Sequence, residues 1–68
     1  MTMDFVDKAK VRLEHWIAHN DNHLEDYERF AEQLEEAGKK KSADYVWEMK
    51  ELSAKSNECL RKALKALE

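Results

Sequence analysis

A row of inward-facing positions recurs along the first half of the chain at alternating spacings of three and four. It runs Val6, Ala9, Leu13, Trp16, Asn20, His23, Tyr27, Phe30, Leu34 and Ala37, apolar except at Asn20 and His23. Sustained for more than four heptads and widened by Ile17, Leu24 and Ala31, this pattern predicts one long amphipathic helix over about residues 4–37. Thr2 or Asp4 can cap its start. Gly38 stands where a left-handed residue ends a helix, and Lys39, Lys40 and Lys41 follow it, so the spacing predicts a turn over 38–41. Ser42, with Asp44 two residues on, reads as the cap of a second helix over about 42–67. That helix is apolar at both ends, with Tyr45, Val46 and Met49 at one and Leu60, Ala63, Leu64 and Leu67 at the other. Between them its seam turns polar at Lys50, Ser53, Ser56 and Asn57.

The expected fold is therefore all-α, an antiparallel two-helix hairpin in a single domain, residues 1–68. Folding the chain at residues 39–40 sets Asn20 near Cys59 and His23 near Ser56, so the polar break of one helix meets that of the other. A hairpin of this size leaves much of each apolar face uncovered, and Trp16, Tyr27, Phe30 and Trp47 are costly to leave in water. The economical solution is a homodimer forming a four-helix bundle.

Composition narrows the class. Charged residues make up 40% of the 68, with one glycine and no proline, as suits a water-soluble helical assembly. A net charge of −3 argues against nucleic acid as a partner, and no apolar run approaches the roughly 18 residues of a membrane span. The start shows no signal-peptide pattern, so cytoplasm is the expected location. Residues 4–37 carry ten acidic and four basic side chains, whereas residues 39–68 carry five acidic and eight basic ones. Folded side by side, the two halves attract along the flanks of their seam.

One segment carries candidate chemistry. His15, His19 and His23 stand four residues apart, so consecutive pairs lie above one another on a helix and can share a metal ion. Each step of four drifts by about 40°, which keeps all three from one ion easily. His19, Asn20 and His23 are the expected inward set, facing Asn57, Glu58 and Cys59, with His15 turned further toward solvent. The candidate ligands are then His19, His23, Glu58 and Cys59, with His15 on the margin, and a donor set of imidazole with carboxylate or thiolate suits zinc, nickel, copper or iron. The alternative is a structural polar layer in which Asn20 and Asn57 set register and oligomer state and the histidines hold no ion. No serine or cysteine has a base at a recognisable spacing, so no enzyme activity is expected. Cys59 is alone, which excludes an intrachain disulfide.

The motif HW-x-x-HN-x-x-H, the glycine turn and the Asn57-Glu58 pair together resemble a family of small uncharacterised prokaryotic helical-hairpin proteins, over roughly residues 11–67. The resemblance implies a helical hairpin in which His15, Trp16, His19, Asn20, His23 and Asn57 belong to the shared pattern. Cys59 lies outside that pattern, and no activity is implied. Taken together, the residues point to a small cytoplasmic, non-enzymatic hairpin that self-associates and holds a transition metal at mid-bundle. The alternative is an interaction module whose His and Asn layer only sets pairing.

Overall fold

A computed structural model describes residues 4–68. Helix α1 runs Phe5–Glu36 and helix α2 runs Lys40–Ala66, antiparallel and packed along their length. Asp4 caps α1, its carboxylate accepting from the Asp7 backbone N–H at 2.9 Å and satisfying one of the donors a helix start leaves open. Thr2, the other expected cap, lies outside the described residues.

The turn is tighter than the spacing predicts. Gly38 adopts φ +78°, and the chain closes α1 with two reversed bonds, Lys39 N–H to Leu34 C=O at 2.8 Å and Gly38 N–H to Glu35 C=O at 3.0 Å. That is a Schellman end, and it delivers Lys39 directly as the cap position of the next helix. Ala43 N–H already donates to Lys39 C=O at 3.0 Å, so α2 starts two residues before the expected 42. Ser42 consequently sits inside the first turn of α2 and no side chain caps the helix. Lys40 and Asp44 pair at 3.2 Å on the surface of that turn, worth a few tenths of a kcal/mol.

The inward face of α1 is rotated from the expected row. Leu13, Ile17, Asn20, Leu24, Tyr27 and Leu34 are half-buried and Ala31 is fully buried, whereas Val6 (42% exposed), Trp16 (47%) and Phe30 (52%) are about half open to solvent. A single partner helix covers only one side of an apolar face this wide, and α2 covers the Ile17–Leu24–Ala31 side. On α2 the covered row is Ala43, Val46, Lys50, Ser53, Asn57, Leu60 and Leu64. Ala31 and Ala43, both fully buried, are the small residues that let the backbones approach near the turn.

The result is a rod of 56 × 18 × 11 Å with a radius of gyration of 16.1 Å, against about 11 Å for a globular domain of this length. It exposes 5618 Å², where a compact monomer of 8.1 kDa exposes about 4,500 Å². Among the described residues no helix is long and apolar enough to cross a membrane.

Candidate functional site

At mid-hairpin the two polar breaks meet in one hydrogen-bonded network. Asn57 is fully buried, and every polar atom of its amide is used. Its Oδ1 accepts from Asn20 Nδ2 at 3.3 Å, while its Nδ2 donates to the Ile17 backbone carbonyl at 3.2 Å and to Asp21 Oδ1. The other Asp21 oxygen accepts from Arg61 Nη2 at 2.7 Å, so the network ends in a half-exposed ion pair at the surface. Among the described residues no buried side-chain nitrogen or oxygen lacks a partner. A buried amide with three fixed partners tolerates one register only, since sliding α2 by a turn would strand it.

Asp21 begins a row of acids at intervals of seven that flanks the seam. Glu28 accepts from Lys50 Nζ at 3.0 Å, and Glu35 accepts from Trp47 Nε1 at 2.7 Å. Lys50 also lies over the Trp47 ring at 5.3 Å, a favourable cation–π distance. One flank of the hairpin is therefore closed by cross-helix polar bonds, and the attraction expected between an acidic α1 and a basic α2 takes the form of these specific pairs. Asp21 and Arg61 were not among the expected site residues. The heptad spacing of Asp21, Glu28 and Glu35 is a sequence signal for Asp21, and none marks Arg61 as its partner.

The histidines occupy the opposite flank and are all exposed. His19 and His23 bring their Nε2 atoms to 3.0 Å, one imidazole donating to the other's lone pair, with ring centres 4.4 Å apart and planes at 84°. His15 stacks beside His19 at 6.3 Å with nearly parallel planes, and its nitrogens do not join the pair. Tyr27 stacks on the other side of His23 at 5.9 Å. His23, Asn20 and Tyr27 from α1 line a cleft of about 110 Å³ with Ser53 and Ser56 from α2, so the histidine pair and the amide network are neighbours.

Glu58 and Cys59 do not reach this cleft. Successive helical residues turn by 100°, so with Asn57 pointing at α1 its two followers rotate outward, and both are exposed. Among the described residues, no group of three or more His, Cys, Asp or Glu side chains comes together to hold a metal ion. Of the five candidate ligands, one chain brings together His19 and His23 and sets His15 alongside. What this arrangement offers chemically is a two-nitrogen chelate at the surface and a register lock beneath it.

Neither the curated proteins nor the solved structures yield a match to this chain. A family model described as Domain of unknown function (DUF8180) matches residues 9–67, from the second turn of α1 to the end of α2. The match spans the histidines, both asparagines and the glycine turn, and the protein belongs to that family.

Proposed function

We propose that this protein is a non-enzymatic helical-hairpin module that works by pairing with a second copy of itself, its buried amide network holding each hairpin in the register that shapes the pairing face. The observation that carries this reading is the uncovered aromatic and aliphatic flank. At 100° per residue, Trp16, His23 and Phe30 fall within about 40° of one another on α1. Tyr45, Met49 and Leu52 fall within about 60° on α2. Tyr45 is 65% exposed and Leu52 58%, and Met49 is 40% exposed. The cleft shared by His23 with Ser53 and Ser56 shows which flanks adjoin, because Met49 lies two turns before Ser56 on the same side of α2. These stripes thus flank one side of the hairpin, opposite the row of Asp21, Glu28 and Glu35.

Area supports a second copy as the occupant. The chain exposes about 1,100 Å² more than a compact protein of its mass. A standard stable interface removes about 800 Å² from each partner. Two hairpins joined by this flank would form a four-helix bundle with the aromatic residues inside and the ion-paired flanks outside. Thermal unfolding followed by circular dichroism from 1 to 100 μM tests the reading, since a folded state that is dimeric melts higher as concentration rises. A cooperative transition at one temperature across that range would contradict it.

A further inference from the structure

We propose that His19 and His23 of two copies together bind one transition metal ion, zinc being the best fit, at the twofold axis of the dimer; this rests on the self-association reading above. The pair has the geometry of a half-site. Two nitrogens bound to one ion at 2.0–2.1 Å stand about 2.9 Å apart at a right angle and about 3.4 Å apart at the tetrahedral angle. The 3.0 Å between the two Nε2 atoms lies inside that interval, so an ion can replace the shared proton once the rings turn their lone pairs toward it. Two nitrogens do not complete a zinc site, and among the described residues a single chain brings no third ligand to them.

The position of the pair supplies the missing half. His19 and His23 stand between Trp16 and Phe30 along the unpartnered flank of α1, and all four residues are exposed. Laying two α1 helices antiparallel about an axis at residue 21 sets His19 of one copy against His23 of the other, and so histidine pair against histidine pair. The same operation leaves Trp16 of one copy about one turn from Phe30 of the other. The twofold doubles two imidazoles to four, the number a tetrahedral zinc ion takes, and an all-imidazole set suits zinc, copper and nickel better than calcium or magnesium. His15 stays outside because its ring stacks beside His19 without converging on the pair. Cys59 is exposed and takes no part.

Zinc titration of tag-free protein by calorimetry, with the mass followed by light scattering, tests the inference. The expected result is one ion per two chains on a dimer, bound more tightly than about 100 μM. His19→Ala and His23→Ala should each weaken binding at least tenfold, and His15→Ala should leave it within about twofold. These side chains are exposed, so circular dichroism should show unchanged helix in all three variants. A dimer that binds no zinc at 100 μM would overturn the inference and leave self-association standing. One ion per chain, or equal weakening by all three substitutions, would overturn the shared site. A monomer with and without zinc would overturn both readings.

Discussion

Replacing Asn57 by leucine removes the one polar side chain that, among the described residues, is completely buried. Three hydrogen bonds go with it, those to Asn20, to the Ile17 carbonyl and to the Asp21 carboxylate. Neutral bonds contribute about 0.5–1.5 kcal/mol each and a bond to a charged group about 1.5–3 kcal/mol. Asn20 and Asp21 retain some access to water, and Asp21 keeps Arg61, so the loss should fall near the lower end of the sum, about 2–4 kcal/mol. For a chain of this size each kcal/mol lowers the melting temperature by about 4–8 °C. Asn20→Leu should cost less, about 1–3 kcal/mol, because it strands a single acceptor on Asn57. With both replaced, neither amide is left without its partner, and the double variant should be more stable than the sum of the singles implies, by about 0.5–3 kcal/mol. Urea denaturation of the four proteins at one fixed concentration measures the coupling. Additivity within about 0.5 kcal/mol would show that the two asparagines do not act as one layer.

Two further substitutions probe the frame of the hairpin. Gly38→Ala meets no neighbouring atom within 4 Å, so its effect should be conformational alone, about 1 kcal/mol of destabilisation from forcing a side chain to φ +78°, read by the same denaturation. Arg61→Ala removes a pair that is half-exposed on both sides and should cost less than about 1 kcal/mol, the difference shrinking in high salt. A loss as large as that of Asn57→Leu would place the strength of the network in the ion pair and not in the amide.

The features read most directly from the sequence are those set by neighbours along the chain. Two long 3.5-residue patterns broken once by a glycine specify two helices and a reversal, and Asp4 caps the first of them by a bond to a residue three positions away. Folding the chain in half also comes within two residues of the contact between Asn20 and Asn57, because the turn is short. What failed were inferences that depend on which side of a helix is covered. The full apolar face of α1 is wider than α2, and its repeat reports the centre of that face, not the part that α2 occupies, so Trp16 and Phe30 read as seam residues but stand exposed. Ser42 read as a cap because its residue type is right, yet the two reversed bonds at Gly38 start α2 before it. Glu58 and Cys59 were placed inward with Asn57 although one and two steps of 100° carry them out of the seam. The link from Asp21 to Arg61 was hidden among many charged residues, any of which could have paired across the flank.

If the aromatic flank is a pairing face for a second copy, sedimentation equilibrium should distinguish the wild-type chain from Phe30→Glu. Phe30 is half-exposed and bonds to nothing within the hairpin that a charge would disturb, so the substitution should leave the helices intact while placing a charge within the interface. At about 10 μM the wild type should sediment at about 16 kDa, twice its 8.1 kDa, and the variant should fall to the monomer mass with unchanged helix content. A wild-type monomer that unfolds cooperatively, or a variant that stays fully dimeric, would contradict the claim.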